Sequence, residues 1–346
     1  MSRRALTLLV SGFLVLALGI GGAVVDVPYV VLSPGPTENT LGDIDKQPVI
    51  KITGRETYPT TGALRLVTVA YQGGPTSQID LLTALRGWID PTVAVVPQET
   101  IFAPDRSQKE VEEENTIEMT NSQDDATAAA LNELKIPYEA VISVASTVKG
   151  KPAEGKIQKG DRIVAVDGEP VTRTDEVSKA VRAREPGDPV TFTITRGGEK
   201  LDVTVPTVAA GGEPIVGVNM QPGYEFPFDV DINVGDVGGP SAGLMFSLGI
   251  VDKLTEGQLT GGKQIAGTGT IRPDGKVGPI GGIPQKMVGA RNAGATIFLT
   301  PAGNCAEALR AVPDGLRLVK AETLHDAKLA LEALASGKGE VPSCSG

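Results

Sequence analysis

The chain begins with an uncharged apolar run over residues 5–25, ALTLLVSGFLVLALGIGGAVV. A helix of about 20 apolar residues spans the hydrocarbon core of a bilayer, and this run is long enough to do so. Arg3 and Arg4 precede the run, and Asp26 follows it. The positive-inside rule therefore predicts a cytoplasmic N-terminus, with the bulk of the chain on the other side of the membrane.

A cleaved signal peptide is the competing interpretation of this run, because Gly21-Gly22-Ala23 has the small residues of a cleavage site. The apolar region of a signal peptide usually spans only about 7–15 residues. We therefore expect residues 1–28 to form a cytoplasmic tip and an uncleaved transmembrane anchor.

Residues 29–137 are predicted to form a linker and the first part of a mixed helix and strand domain. Residues 27–40 (VPYVVLSPGPTENT) are broken by proline and glycine, which favours an extended linker. Farther on, apolar–polar alternation predicts strands, and a 3.6-residue period predicts helices. By these rules the strands are residues 62–71 and 92–96, and the helices are residues 77–88 and a segment near 123–135.

Residues 138–207 differ from the preceding segment in their predicted secondary structure, because short strands alternate there with glycine turns and a helix. The predicted elements are strands at 141–144, 190–196 and 201–205 and a helix at 174–184. With the pairs Gly160-Asp161 and Asp167-Gly168, this order resembles a bacterial PDZ domain. The resemblance implies that the domain binds an extended peptide as an added strand on an exposed sheet edge.

Residues 208–340 are predicted to form an α+β domain, followed by a tail over residues 341–346. Residues 208–216 are rich in alanine, glycine and proline and predict a linker. The elements predicted after it are a strand from 217, a helix after Ser241, strands around 264–271, a helix around Lys286, a strand at 296–300, a helix at 304–312, a strand at 316–319 and a helix at 323–336.

Charge and composition make some classes of function and some kinds of binding site unlikely for this chain. The formal net charge of −10 makes nucleic-acid binding a poor expectation. Cysteine and histidine show no spacing typical of a metal site, so we expect no metal. Residues 257–263 (GQLTGGK) nearly match a phosphate-binding loop, but Gln264 stands where Ser or Thr must bind Mg²⁺. We interpret this segment as a turn and expect no cofactor.

One glycine-rich segment, Gly238-Gly239-Pro240-Ser241-Ala242-Gly243, has the residues for covalent chemistry. A helical pattern begins directly after it, which places Ser241 at a helix N-terminus. Backbone N–H groups there lack intrahelical partners and lie at the positive end of the helix dipole. Such groups can stabilise the oxyanion of acyl transfer. Ser241 is therefore a candidate nucleophile.

The base for this serine is predicted to be a lysine. The single histidine, His325, lies in a late helical pattern and is interpreted as a half-exposed helix residue. A desolvated neutral lysine is another known activator of a serine. Lys286 fits this role, because it lies in an apolar, glycine-bounded segment that begins with Pro279-Ile280-Gly281-Gly282.

The segments around Ser241, Thr268 and Lys286 together resemble the proteolytic domain of Lon proteases, over roughly residues 212–335. The resemblance implies a Ser–Lys dyad, with Ser241 as nucleophile and Lys286 as base. It implies that Thr268 lies near the lysine, and that Gly239, Pro240 and Ala242 support the serine. Many Lon proteins carry an acidic residue three positions before the serine, whereas this chain has Gly238 at that position.

The same resemblance implies a strand-and-helix half upstream of the serine, which residues 62–71 and 123–135 would supply. The PDZ unit is then an insertion into a discontinuous protease domain, which is tolerated when the termini of the insert lie close together. A homo-oligomeric ring is suggested by the resemblance alone.

Cys305 and Cys344 are the two cysteines of the chain. A chain exported past the membrane lies in a compartment where disulfides form. A bridge would fasten the tail onto the helix that begins at Asn304, and two unrelated thiols are the alternative.

The sequence thus predicts an α+β fold: a Lon-type proteolytic domain with an inserted PDZ domain, preceded by one transmembrane helix. The predicted function is that of a membrane-anchored, ATP-independent serine endopeptidase of extracytoplasmic proteins or peptides. The alternative is a membrane-tethered PDZ adaptor with an inactive protease fold, which Gly238 supports.

Overall fold

The computed structural model describes residues 3–103, 107–235 and 237–344. Parts of the predicted anchor and of the predicted tail therefore lie outside the described residues. The described chain divides into two compact units. The first comprises the residues up to Ile136 together with those from Phe228 onwards, and the second is Pro137–Pro227.

The first unit begins with the helices α1 (Arg3–Val24), α2 (Leu81–Ile89) and α3 (Gln108–Glu133), and the strands β1 (Asp26–Val27), β2 (Tyr29–Asn39), β3 (Asp43–Ile44), β4 (Gln47–Pro48), β5 (Ile50–Thr53), β6 (Ala63–Gln72), β7 (Ile79–Asp80) and β8 (Ala94–Pro97). The second unit contains the helix α4 (Thr174–Arg182) and the strands β9 (Glu139–Thr147), β10 (Arg162–Val166), β11 (Glu169–Pro170), β12 (Pro189–Arg196), β13 (Glu199–Pro206), β14 (Val208–Ala210), β15 (Glu213–Ile215) and β16 (Val218–Glu225). The first unit resumes with α5 (Gly243–Leu254), α6 (Ile283–Asn292), α7 (Cys305–Ala308) and α8 (Leu324–Ser336), and with β17 (Asp229–Ile232), β18 (Gln264–Gly267), β19 (Thr270–Ile271), β20 (Val277–Gly278), β21 (Ile297–Pro301) and β22 (Arg317–Ala321).

The main sheet of the first unit joins the two parts of the chain that flank the second unit. Its strand order is β22-β21-β18-β6-β2-β8. Strand β6 runs parallel to β18, with Ala63 opposite Gln264 and Leu66 opposite Gly267. Strand β2 runs antiparallel to β6 and β8. This pairing confirms the prediction of a discontinuous domain with an inserted unit.

The linker predicted over residues 27–40 is instead strand β2, which lies inside this sheet. Proline lacks the N–H group that a central strand normally donates to its ladder. The pairing with β6 shifts its register between Pro34 and Thr37, which accommodates Pro34 and Pro36 of β2. The composition pointed to a linker because the sequence alone does not reveal such a local irregularity.

Helices cover both faces of the sheet, because side chains alternate between the faces of a strand. Leu64 and Leu66 of β6 pack in one cluster with residues of α3, α5 and α8. Val67 of the same strand packs in another cluster with residues of α6 and α7. The first unit is therefore a layered α+β domain with a core on each side of its sheet.

The second unit has a sheet of order β13-β12-β10-β9-β16, with β11 paired to β10. Its core contains Ile142, Ile163, Val177 and Phe192. Strand β16 pairs antiparallel along β9, from Val218 opposite Thr147 to Glu225 opposite Glu139. The unit therefore ends at Pro227 rather than at the sequence-based boundary of residue 207, because the partner of β9 lies farther along the chain.

Helix α1 contains the apolar run and has a mean hydropathy of 2.2 over its most apolar window. It is long and apolar enough to cross a membrane. Only 6% of that window is buried within the protein, so most of its apolar side chains face outwards.

Candidate active site

The segment that carries Ser241 is held against helix α3, which comes from the part of the chain before the insertion. The N–H group of Gly239 donates to the carbonyl oxygen of Asn115 at 2.8 Å. The Ser122 hydroxyl donates to the carbonyl oxygen of Pro240 at 3.0 Å. Gly239 has a φ of +84°, a left-handed conformation that glycine adopts most readily. These contacts fix the backbone directly before the partly exposed Ser241.

Helix α5 begins two residues after the serine, close to neighbouring elements. A Cβ atom on Gly243 would lie 2.6 Å from Cγ2 of Ile271 and 3.0 Å from the Ser122 hydroxyl oxygen. Only glycine fits this position without a shift of the surrounding atoms. The N–H group of Phe246 donates to the carbonyl oxygen of Ala242 at 3.0 Å, which closes the first turn.

Thr268 joins the serine segment to the lysine. Its Oγ1 donates to the carbonyl oxygen of Ser241 at 3.0 Å, and the N–H group of Gly269 donates to the same oxygen at 2.8 Å. The Nζ atom of Lys286 donates to Oγ1 of Thr268 at 3.2 Å. Thr268 is fully buried. The three residues that the motifs singled out are thus connected through one hydroxyl group.

The amine of Lys286 lies in an environment that disfavours its charge. Only 4% of the residue is exposed. Burial lowers the pKa of Lys286 from 10.5 to about 8, because the ammonium ion loses its hydration. A useful fraction of the amine is therefore neutral near neutral pH, as a general base requires.

Gly282 sets the start of the lysine helix. It precedes α6 with a φ of +71°, and a Cβ atom there would lie 2.6 Å from Cγ2 of Val69. Glycine therefore allows α6, the helix that carries Lys286, to begin close to strand β6.

Asn304 is a residue of this region that the motifs did not identify. Its Nδ2 donates to the carbonyl oxygen of Ile280 at 2.8 Å, and its Oδ1 accepts from the N–H group of Ile280 at 2.9 Å. A Cβ atom on Gly303 would lie 3.1 Å from Cβ of Pro279. The segment after β21 therefore holds the segment before α6. An asparagine three residues after a buried strand was the only signal for it in the sequence.

Cys305, the next residue along the chain, is bonded to Cys344. The tail also pairs with strand β22, because the N–H group of Lys320 donates to the carbonyl oxygen of Pro342 at 3.0 Å. Both cysteines belong to the cluster that contains Ile283 and Met287 of α6. The helix predicted over residues 304–312 is shorter in the structure and ends at Ala308.

His325 lies on α8, away from these contacts, as the choice of a lysine base requires. It is exposed, and its Nδ1 lies 3.1 Å from Oε1 of Glu133 at the end of α3. Among the residues that the structure describes, no group of three or more His, Cys, Asp or Glu side chains could hold a metal ion.

A surface depression of about 220 Å³ lies beside the serine segment. It is lined by Glu118, Asn121, Ser122, Asp125, Pro240, Thr270, Ile271 and Arg272. Because Pro240 directly precedes the serine, a group bound in this depression would lie close to the Ser241 backbone. Its walls come from α3, from Pro240, from β19 and from the residue after β19.

Two family models match the chain. The model of the Lon protease (S16) C-terminal proteolytic domain matches residues 229–331, and a PDZ domain model matches residues 116–207. The chain joins a Lon-type proteolytic domain to a PDZ domain. The Lon-type domain is of the serine protease type. The PDZ match begins within α3 of the first unit, whereas the compact PDZ unit begins at Pro137.

Curated relatives match the Lon-type domain over a short stretch. Lon protease 2 of Herpetosiphon aurantiacus is 38% identical over 93 residues, which are 26% of this chain and 11% of that protein. Lon protease 1 of Bacillus subtilis is 30% identical over 104 residues, which are 29% of this chain and 13% of that protein. The chain thus spans a small fraction of the length of these Lon proteases.

Among solved structures, the PDZ domain of an SdrC-like protein from Listeria monocytogenes is 22% identical. The match covers 23% of this chain and 85% of that one, with a TM-score of 0.22.

Proposed function

We propose that this chain is a serine endopeptidase in which Ser241 is the nucleophile and Lys286 the general base. The observation that carries the proposal is the buried Lys286 amine, whose pKa is lowered to about 8 and which is linked through Thr268 to the Ser241 backbone. A desolvated amine can activate a serine as a nucleophile. N–H groups at a helix start can stabilise the oxyanion that forms.

The reaction begins when the neutral Lys286 amine takes the proton of the Ser241 hydroxyl. Oγ of Ser241 attacks the carbonyl carbon of the peptide bond, and N–H groups at the start of α5 stabilise the oxyanion. The C–N bond breaks, and the Lys286 ammonium gives its proton to the leaving amine. Water, deprotonated by the same amine, then hydrolyses the acyl-enzyme and restores Ser241.

Thr268 acts as a positioning residue in this mechanism. Its hydroxyl accepts from the lysine and donates to the serine carbonyl oxygen, which orients the amine relative to the nucleophile. Gly239, Pro240 and Ala242 support the site through the backbone that they place around Ser241.

A membrane anchor is the second part of the proposal. It rests on the length and hydropathy of α1 and on Arg3 and Arg4 at its start. The catalytic part then lies outside the cytoplasm, where the enzyme acts without ATP on extracytoplasmic proteins. A reporter fused after residue 346 should be active only outside the cytoplasm, and reporter activity in the cytoplasm would contradict this topology.

The PDZ unit is proposed to select protein or peptide substrates, because PDZ folds bind extended peptides at a sheet edge. Assembly into a homo-oligomeric ring is proposed from the Lon resemblance. The competing function is that of a membrane-tethered PDZ adaptor without catalysis, which Gly238 favours because many Lon proteins have an acidic residue there.

The full-length chain should react with a serine-directed acylating probe at Ser241 and should cleave unfolded protein substrates. Ser241→Ala and Lys286→Arg should both abolish cleavage, because arginine stays charged and cannot act as a base. His325→Ala is the matched control and should keep its activity. Cleavage by folded Lys286→Arg would refute the dyad, and an unreactive Ser241 in the native chain would favour the adaptor.

A further inference from the structure

Helix α2 exposes an apolar face next to the end of the proposed anchor. Leu85, Trp88 and Ile89 are 41%, 53% and 82% exposed. Their spacing of three and four residues places them on one side of the helix. The opposite side is buried, because a Cβ atom on Gly87 would lie 2.6 Å from Cγ2 of Val95. The exposed side chains therefore form a surface that can contact a partner outside the first unit.

The start of α2 is fastened to the end of α1. The N–H group of Leu81 donates to the carbonyl oxygen of Val25 at 2.9 Å. Strand β1 pairs with β7, with Asp26 opposite Asp80. A Cβ atom on Gly22 would lie 3.1 Å from Cδ2 of Leu82. Helix α2 thus begins where the apolar run of α1 ends.

The exposed face continues from this contact along α2. Leu82 touches α1, and Leu85 lies three residues farther on, so the two are neighbours on the helix surface. The ring of Tyr29 packs edge-to-face on Trp88, with centroids 5.6 Å apart. Tryptophan and tyrosine are enriched where the hydrocarbon core meets the polar headgroups of a bilayer.

We infer that α2 is an interfacial helix, whose Leu85, Trp88 and Ile89 insert into the membrane surface beside the anchor. This inference rests on the proposed membrane insertion of α1, because α1 brings α2 to the bilayer boundary. A helix of this kind lies in the interface with its apolar face about 5–10 Å deep. The bilayer is the occupant that the structure favours, since the exposed face directly continues the apolar surface of α1.

The single tryptophan of the chain makes Trp88 a native probe for this contact. The full-length protein would be reconstituted into phosphatidylcholine vesicles, with or without acyl chains brominated near the headgroup. Trp88 should lose emission in the brominated vesicles. Leu85→Gln combined with Ile89→Gln should reduce that loss. Leu329→Gln is the matched control on α8, where Leu329 is 46% exposed, and it should leave the loss unchanged.

Extraction of the same vesicles with alkaline carbonate separates this inference from the proposed anchor. A chain that stays with the vesicles while Trp88 keeps its emission would overturn the inference and leave the anchor intact. A chain that carbonate removes would refute the anchor and, with it, the interfacial helix. Blue-shifted emission that brominated lipid does not quench would assign the face to a second copy of the chain and would also overturn the inference.

Discussion

The Nζ atom of Lys286 lies 3.2 Å from Oγ1 of Thr268 and donates a hydrogen bond to it, while Thr268 donates to the carbonyl oxygen of Ser241. Thr268→Val keeps the shape of the side chain but removes both bonds. We expect kcat to fall by about 10²-fold, because catalysis is sensitive to small displacements of a catalytic group. Thr268→Ser retains the hydroxyl and should recover most of the activity in the same peptide assay. Equal activity of the Val and Ser variants would contradict the positioning role.

The pH dependence of catalysis should report the amine of Lys286. Burial lowers its pKa to about 8, and only the neutral form accepts the serine proton. A plot of kcat/KM against pH should therefore rise with a midpoint of about 8. Below that value, activity should fall about tenfold per pH unit. His325→Ala should give the same curve, and a midpoint near the histidine pKa of about 6.5 that disappears in this variant would refute the assignment.

Burial of the Lys286 amine should also lower the free energy of unfolding of the native chain. Holding a lysine at a pKa of about 8 instead of 10.5 costs about 3 kcal/mol at pH 7. Lys286→Met removes this cost but also removes a hydrogen bond worth about 1 kcal/mol. We therefore expect the inactive Lys286→Met chain to be more stable than the native chain at pH 7 by about 2 kcal/mol.

This stability difference should depend on pH in a defined direction. Between pH 8 and about 10.4 the unfolded lysine still holds a proton that the folded lysine has lost, so the free energy of unfolding of the native chain rises with pH. The difference in the free energy of unfolding between the native chain and Lys286→Met should narrow over this pH range and stay constant below it. Denaturant unfolding at pH 7 and pH 10 measures this difference, and a difference that widens with pH would contradict the account.

Asn304 should influence the base through the segment that it holds. Asn304→Ala removes two hydrogen bonds to Ile280 and loosens the entry to α6. Lys286 should become more hydrated, so its pKa should rise and the activity curve should move to higher pH. Asn292→Ala, at the exposed end of α6, is the control and should leave the curve in place. Lower stability without a shift of the curve would mean that Asn304 is only structural.

Local motifs were sufficient to single out Ser241 and Lys286, because each lies in a short glycine-rich segment of characteristic order. The structure brings these two segments together through Thr268. The motifs could not identify Ser122, Asn115 or Asn304, whose contacts with the site depend on long-range packing. The error at β2 had the same cause: prolines disfavour a central strand unless the neighbouring strand shifts its register. The pairing of β9 with β16 could not be predicted from the sequence either, because the hairpin of β14 and β15 separates β16 from the rest of the unit.

The insertion also imposes an order on folding during synthesis. Strand β6 leaves the ribosome early, but its parallel partner β18 is made only after the whole PDZ unit. Until then one edge of β6 stays open to other chains, which is a hazard for aggregation. The PDZ unit lies in one continuous segment and needs no later residues for its sheet. It can therefore fold first. Its first strand, β9, pairs with its last strand, β16, so the two ends of the unit lie close together. The early and late parts of the first unit would then be held near each other as the last strands emerge.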